Sequence, residues 1–177
     1  MQALIKKSAL IHIISAAAEV FKKECFLILL GNVKNGVFII ENAMPMQTAK
    51  RDFDGVKTIK RRFELFNDLI ACFWKHIQVI GDCHSHTEIE TSKETIYPIR
   101  PSQEDRDGSS GGSIYLIIGV GLKKKTMRWK KIAKKYLSGT LGKYRFEIRA
   151  YWAPENKKLK HIEIICPTAY RLNAFKK

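Results

Sequence analysis

No stretch of this sequence is long and apolar enough to cross a membrane. A membrane-spanning helix needs roughly 20 consecutive apolar residues, and the longest apolar runs, Cys25 to Leu30 and Ile114 to Val120, have only the length of strands. The segment from Lys6 to Ala18 loosely imitates a secretory signal, but His12 and Ser15 interrupt its apolar run, which is more typical of an amphipathic helix. We therefore predict a soluble protein that does not enter the bilayer.

Cysteine is scarce, and its spacing excludes two kinds of scaffold. The four cysteines, Cys25, Cys72, Cys83 and Cys166, form no C-x-x-C pair, so neither a disulfide framework nor a zinc knuckle with thiolate ligands is indicated. Two catalytic zinc signatures are also missing, namely the H-E-x-x-H of ordinary zincins and the H-x-E with P-C-x-x-C of zinc deaminases. We expect a reducing, cytoplasmic environment.

Acidic residues become rare in the last third of the chain. Residues 121–177 carry 17 Lys/Arg and 3 Asp/Glu, whereas residues 1–120 carry 15 and 14, so nearly all of the formal net charge of +15 belongs to the C-terminal third. Such a surface favours an acidic partner through electrostatic steering and counterion release. Charge alone leaves a protein, a nucleic acid and an anionic membrane open as that partner.

Length and patterning predict one domain, spanning residues 1–177, with a mixed sheet flanked by helices (α/β or α+β). A chain of 177 residues that is 45% hydrophobic is typical of one globular domain with a packed core. Apolar and charged residues alternate most clearly from Tyr144 to Trp152, and Asn35-Gly36 predicts a hairpin turn. Strands are predicted at 3–6, 25–31, 37–40, 77–80, 114–120, 144–152 and 162–165, helices at 8–22 with Ser8 as N-cap, 63–75 and 127–137, and loops at 45–56 and 87–113.

Two histidines follow a predicted strand at a spacing suited to metal binding. His84 and His86 are two residues apart, and in extended backbone that spacing places both imidazoles on one face. A catalytic zinc takes three protein nitrogen or oxygen ligands and leaves one position to water. A third ligand is therefore needed, and a carboxylate suits. The neighbouring Cys83 faces the other way and is predicted to lie in the core, and Asp82 is predicted to form local hydrogen bonds.

The residues around this pair resemble the JAMM (MPN-plus) metalloproteases. Those proteins carry a glutamate at the start of an apolar strand that closes with glycine, followed by H-[S/T]-H and S-x-x-D. This chain has Glu24 through Gly31, then His84-Ser-His86, then Pro101-Ser-Gln-Glu-Asp105, in the same order and across most of its length. The resemblance implies an MPN/JAMM-like fold.

The resemblance also implies a role for each motif residue. His84, His86 and Asp105 would bind Zn²⁺, Glu24 would serve as general base, and Ser102 would stabilise the oxyanion. The implied reaction is hydrolysis of the amide bond after the C-terminal glycine of a ubiquitin-like or sulfur-carrier protein. Two local alternatives stay open: Glu24 as a solvated residue after two lysines, and Ser102 as the cap of a short helix with Asp105 in its first turn.

The spacing departs from the family's pattern in two places. Between Asp105 and the strand at Ile114 there are only eight residues, fewer than the helical turn and linker expected there. Between His86 and Ser102 lie 15 residues, more than twice the family's spacer, so an insertion falls within Thr87 to Arg100 and the long loop at 87–113 is expected beside the active site. Other carboxylates therefore compete with Asp105 for the third ligand position, and we favour Asp105 because Pro101-Ser102 precede it in register. The competitors are Glu88, Glu90, Glu94, Glu104 and Asp107.

The altered spacing supports a second function. The chain could be a catalytically inactive MPN scaffold that binds an acidic protein or a nucleic acid through its basic C-terminal region, residues 121–177. Trp129 and Trp152 are predicted to lie in the core rather than to stack on nucleobases. The sequence does not predict an oligomeric state.

Overall fold

The computed structural model describes residues 1–51, 56–57, 59–73, 75–87, 89–90, 95–96, 99–133, 136–155 and 158–172. Within these residues lie thirteen strands and four helices, which agree with the predicted mixed architecture. The strands are β1 (Gln2–Ile5), β2 (Phe26–Lys34), β3 (Val37–Pro45), β4 (Lys50–Arg51), β5 (Val56–Lys57), β6 (Gln78–Thr87), β7 (Ile89–Glu90), β8 (Thr95–Ile96), β9 (Ile114–Leu122), β10 (Lys130–Ile132), β11 (Tyr136–Leu141), β12 (Tyr144–Trp152) and β13 (Lys160–Ile165). The helices are α1 (Lys7–Glu19), α2 (Lys60–Phe73), α3 (Gln103–Asp107) and α4 (Pro167–Arg171).

Seven of the strands close into a ring. Strand β12 pairs with β9 along one edge and with β11 and β13 along the other. Following the pairings from β9 through β6, β2, β3, β1 and β13 leads back to β12. The sheet is mixed, because β1 is parallel to β3 and β13, and β6 is parallel to β9, while the other pairs are antiparallel. The predicted mixed sheet flanked by helices is therefore confirmed.

Both faces of the central strands are covered, which explains their continuous apolar sequences. In β2, Leu27 and Leu29 belong to the largest core cluster together with the apolar face of α1. Ile28 and Leu30 point the opposite way and pack in a second cluster that includes Ile70 of α2. A strand that is buried on both faces needs apolar residues at every position, and the strand predicted at 25–31 is confirmed.

The turn between β2 and β3 forms as the sequence predicts. Asn35 and Gly36 have φ angles of 50° and 75°, the two left-handed conformations that a type I′ hairpin turn requires. The strand pairing begins directly beside the turn, at Lys34 and Val37.

The helix predicted at 127–137 is wrong. This segment contains β10 and β11, which pair with each other, and Ala133 between them has a φ of 47°. Trp129 is nevertheless buried as predicted, stacks on Phe146 and covers Gly139 so closely that an added Cβ would lie 2.4 Å from its ring. The apolar residues have helical spacing, but this segment instead forms β11, which pairs with β12 and adds a strand to the sheet.

Ser8 does not cap α1. The helix begins at Lys7, and its N-cap, Lys6, makes no capping bond through its side chain. The backbone N–H of Lys6 instead donates to Ile40 O at 3.0 Å, so pairing with β3 continues up to the first helical residue and the helix starts earlier than predicted.

The polar segment 87–113 contains regular structure that was predicted as loop. The short helix α3 lies there, together with β7 and β8, while residues 88, 91–94 and 97–98 fall outside the described part of the chain. None of the helices within the described ranges has the length and apolar character needed to span a membrane.

Candidate metal centre

Strand β6 places the two histidines of the H-S-H motif side by side. The strand continues through the motif to Thr87, and it is held on both edges, by β2 and by β9. The Nε2 atoms of His84 and His86 lie 3.2 Å apart. Cys83, just before His84, and Ser85, between the two histidines, point to the opposite face and are fully buried. The prediction that both imidazoles share one face is confirmed, as is the core position of Cys83.

Asp105 reaches these histidines from α3. Its Oδ1 lies 3.1 Å from His84 Nε2, and its Oδ2 lies 3.8 Å from His86 Nε2. Tyr151 helps to hold the segment before α3 near the histidines, because its buried hydroxyl donates to Ile99 O at 2.8 Å. The long spacer after His86 therefore does not prevent the carboxylate from meeting the two rings.

The other candidate carboxylates do not replace Asp105 within the described residues. Glu104 is exposed, and Asp107 accepts a hydrogen bond from Gln103. Glu88 and Glu94 lie outside the described residues, and the side chain of Glu90 is likewise not described.

Ser102 holds Asp105 in place through a capping box. The backbone N–H of Asp105 donates to Ser102 Oγ at 3.1 Å, and the backbone N–H of Ser102 donates to Asp105 Oδ2 at 2.7 Å. This arrangement satisfies two backbone donors at the start of α3 and orients the carboxylate. The alternative that Ser102 caps a short helix is therefore confirmed, while a role at the oxyanion stays a prediction.

Glu24 lies beside the histidines at the entrance to β2. Its side chain is almost buried, with 8% of the residue exposed, and its Oε1 lies 3.9 Å from His86 Nε2. The alternative that Glu24 is simply a solvated residue is therefore wrong.

Ser85 and Asp82 support this site from outside the ligand group, although no site role was predicted for them. Ser85 Oγ accepts from the backbone N–H of Cys25 at 2.9 Å and so connects β6 with the residue after Glu24. Asp82 Oδ1 lies 3.9 Å from His84 Nδ1. A signal for Asp82 was present, because a residue two positions before His84 in a strand shares its face.

The ionisable side chains of the site shift one another's pKa values. Burial alone lowers the pKa of His84, but hydrogen bonding and charge from Asp105 and Asp82 outweigh it and raise this pKa to about 10. Burial also opposes ionisation of Asp105, yet His84 and the bonds from Ser102 hold the pKa of this carboxyl well below its usual range. Burial raises the pKa of Asp82. Without a metal, the pair of His84 and Asp105 is therefore held as imidazolium and carboxylate.

The donor set fits a metal ion. One ligand atom each from His84, His86 and Asp105 can be chosen so that all three lie within 4.8 Å of one another. Two ligands of a tetrahedral zinc with bonds of about 2.0 Å are separated by ~3.3 Å, and the closest donor pairs lie 3.1 and 3.2 Å apart. Two imidazoles and one carboxylate are ligands of the catalytic kind, which leave a position for water.

Comparisons with known proteins agree with this architecture. The chain resembles the solution structure of protein DSY2949 from Desulfitobacterium hafniense, with a TM-score of 0.62, 17% sequence identity, and coverage of 94% of this chain and 92% of that one. At this identity the likeness shows the fold alone. No curated protein matches the sequence. The family model for prokaryotic homologues of the JAB domain matches residues 6–132, a range that includes Glu24, both histidines, Ser102 and Asp105. The chain therefore belongs to the Prok-JAB family, the prokaryotic homologues of the JAB domain.

Proposed function

We propose that this protein is a zinc-dependent peptidase that hydrolyses the amide bond after the C-terminal glycine of a ubiquitin-like or sulfur-carrier protein. The observation that carries the proposal is the convergence of His84, His86 and Asp105 with an almost buried carboxylate, Glu24, 3.9 Å from one of the rings. Family membership supports the reaction class, because some JAB-domain proteins are metalloproteases.

His84, His86 and Asp105 are the residues that hold the ion in this proposal. A zinc ion bound there supplies Lewis acidity, which polarises a carbonyl and makes water acidic enough to attack near neutral pH. Ser102 keeps the Asp105 carboxylate turned toward the rings through the capping box. Asp82 faces the far nitrogen of His84 and favours a proton at Nδ1, which leaves Nε2 free to bind metal.

Glu24 and Ser102 move protons and stabilise charge in this proposal. The Glu24 carboxylate accepts the proton of the attacking water and returns it to the leaving amine. Ser102 Oγ accepts from Asp105 N, and its hydroxyl also hydrogen-bonds the Asp105 carboxylate. By turning from that carboxylate, the hydroxyl would donate to an oxygen that becomes negative in the transition state.

The state of the cysteines supports a reducing compartment such as the cytoplasm. Cys25, Cys72, Cys83 and Cys166 are all free thiols. A protein without disulfides suits a compartment in which glutathione and thioredoxin keep thiols reduced.

The test combines metal analysis with hydrolysis of ubiquitin-fold proteins fused through Gly-Gly to a fluorogenic amine. Wild type is expected to contain one zinc per chain and to lose activity to a chelator. Glu24→Gln is expected to keep zinc and to lose activity by about 10²- to 10⁴-fold, the usual contribution of a general base, whereas His86→Ala loses zinc and activity together. Glu19→Gln, the same change at an exposed residue of α1, is the matched control and retains both.

Two results would overturn the proposal. The first is hydrolysis that resists chelation or survives Glu24→Gln unchanged. The second is a wild-type protein that takes up no zinc when zinc is supplied, which would favour the inactive scaffold instead.

A further inference from the structure

A basic and partly apolar surface surrounds Tyr144 at one end of the sheet. Tyr144 opens β12, where it lies opposite Leu122 of β9 and Leu141 of β11. Next to it, the backbone N–H of Lys123 donates to Lys143 O at 3.0 Å. We name this surface the Tyr144 rim, and it consists of Lys22, Lys23, Leu122, Lys123, Leu141, Lys143 and Tyr144.

The Tyr144 rim lies at the same end of the sheet as the candidate metal centre. The ring of Phe21 contacts the ring of Tyr144 edge to face, with centroids 5.2 Å apart, and only two lysines separate Phe21 from Glu24. Along β9, the residue opposite His86 is Gly119. Leu122 lies three positions further on, about 10 Å of extended strand, and because side chains alternate along a strand it points to the face opposite that of His86. A partner that contacts the rim therefore lies at the same end of the sheet as Glu24 and His86, although on its other face.

The rim is exposed, and its charge is not neutralised by the described residues of the protein. Its four lysines are all exposed, and none of them forms an ion pair with an acidic side chain in the described ranges. The sequence explains this excess, because residues 121–146 contain ten Lys/Arg and no Asp/Glu. An acidic partner would therefore be attracted to this end of the molecule.

The apolar members of the rim favour a protein over a nucleic acid. Leu122 and Leu141 are each 45% exposed, and apolar contacts within a charged margin are typical of protein interfaces. Binding of single-stranded nucleic acid depends instead on aromatic faces on which bases stack. Tyr144 is poorly suited to that role, because its ring contacts Phe21 and carries Lys143 Nζ at 5.3 Å from its centroid.

We infer that the Tyr144 rim docks the folded body of the protein substrate, through a surface patch that is acidic and has apolar side chains at its centre. This inference rests on the proposed function, because it places the substrate's body where its C-terminal tail can reach Glu24 and His86. Lysine contacts steer and orient the substrate, and the two leucines add affinity by burying apolar surface.

Fluorescence anisotropy with three labelled probes tests the inference. The probes are an acidic peptide with interspersed leucines, the same peptide with serine in place of leucine, and an oligothymidine of equal charge. The double variant Lys123→Glu/Lys143→Glu is compared with Lys6→Glu/Lys7→Glu, which makes the same change in charge at the opposite end of α1, roughly 20 Å away. All four lysines are exposed, so thermal unfolding should remain unchanged.

We expect the leucine-containing acidic peptide to bind the wild type best. The rim variant should weaken this binding by about tenfold or more, equivalent to 1.4 kcal/mol, while the control pair weakens it by less than about threefold. Leu122→Ser/Leu141→Ser should remove the preference for leucine over serine. Equal losses in rim and control variants would overturn the inference, as would tightest binding to oligothymidine.

The same measurement separates this inference from the proposed function. His86→Ala removes a metal ligand but leaves the rim intact, so its peptide affinity should equal that of the wild type. Loss of rim binding with zinc and hydrolysis intact would refute the docking surface alone, whereas a zinc-free wild type that binds the peptide would refute the enzyme alone.

Discussion

Ser85 and Cys25 are joined by two hydrogen bonds across the β6–β2 boundary. The backbone N–H of Cys25 donates to Ser85 Oγ at 2.9 Å, and the backbone N–H of Ser85 donates to Cys25 O at 3.2 Å. Ser85 lies between the two histidines of the H-S-H motif, and Cys25 follows Glu24. This pair therefore fixes the distance between the proposed base and the proposed ligands, although neither of its members touches the metal centre.

Replacing Ser85 with alanine should uncouple Glu24 from the histidines. The change leaves the N–H of Cys25, a residue with 2% exposure, without its acceptor, which should lower the free energy of unfolding by about 1–3 kcal/mol. Activity should fall while zinc content is kept, because the histidines stay on β6. Urea denaturation, metal analysis and kcat measure the three effects.

Ser138→Ala is the matched control for this prediction. Ser138 is 1% exposed, and its Oγ has no hydrogen-bond partner within the described residues. Its removal should change the free energy of unfolding by less than about 0.5 kcal/mol, since no bond is lost. If the two variants are equally stable and equally active, the Ser85–Cys25 connection contributes nothing.

Loss of the capping box should lower zinc affinity more than it lowers kcat. Ser102→Ala removes the acceptor for Asp105 N, a loss of about 1 kcal/mol at a helix N-terminus, and frees the Asp105 carboxylate to turn away. We expect zinc affinity to fall roughly fivefold and Ser102→Thr to restore it, as measured by competition with a chelating dye. A remaining loss of kcat at saturating zinc in Ser102→Ala would assign the hydroxyl to the oxyanion, whereas an unchanged zinc affinity would contradict the positioning role.

The fold was predictable where local patterns and tertiary partners agree. The Asn35-Gly36 turn specifies its hairpin through the positive φ angles of its two residues. The alternation from Tyr144 to Trp152 predicts a strand, and β12 forms there with Phe146, Ile148 and Ala150 in the main core, although Glu147 and Tyr151 on its other face are buried as well. At 127–137 the local pattern and the tertiary contacts disagree. The helical spacing there is real, but Trp129 finds its partners on Phe146 and Gly139, which are distant in sequence and therefore invisible to a periodicity argument.

The candidate site was predictable in its residues but not in how they are held. His84, His86 and Asp105 were identified because a short motif fixes their chemistry, and the structure brings them together. The Ser85–Cys25 bonds and the approach of Asp82 to His84 depend on strand register, and register is set by pairing between distant segments. The contact between Phe21 and Tyr144 is likewise invisible in the sequence, because 122 residues separate the two rings.

Gly81 should be one of the least replaceable residues near the site. A Cβ at this position would lie 1.7 Å from Ile114 O, so Gly81→Ala must push β6 away from β9 just before the histidines. We expect a loss of about 3 kcal/mol or more in the free energy of unfolding, together with loss of zinc. Gly142→Ala is the control, because its φ is 57° and nothing lies within 4 Å of an added Cβ, so only the left-handed backbone costs energy, roughly 1–2 kcal/mol. Equal effects of the two changes would contradict the close-approach argument.

Metal binding should release a proton from His84 even in alkaline solution. In the metal-free protein the pKa of His84 is raised to about 10, so at pH 8 the ring is still protonated, whereas a metal ligand must be neutral. Each zinc should therefore displace about one proton from His84, and apparent affinity should rise about tenfold per pH unit until pH approaches this pKa. Asp105 adds no proton there, because its pKa lies well below its usual range.

Calorimetric titration of zinc at pH 8, in two buffers of different ionisation enthalpy, counts the protons released. At this pH the zinc-bound water, with a pKa near 7, contributes about one proton, so a second proton is expected from His84. A histidine with the ordinary pKa of about 6.5 would be neutral and would add almost none. Asp105→Asn removes the strongest partner that raises the pKa of His84, so this variant should bind zinc more weakly and also release fewer protons per ion. Release of only about one proton per zinc in the wild type, the one from the bound water, would show that His84 is already neutral, and that the imidazolium–carboxylate pair does not form in solution.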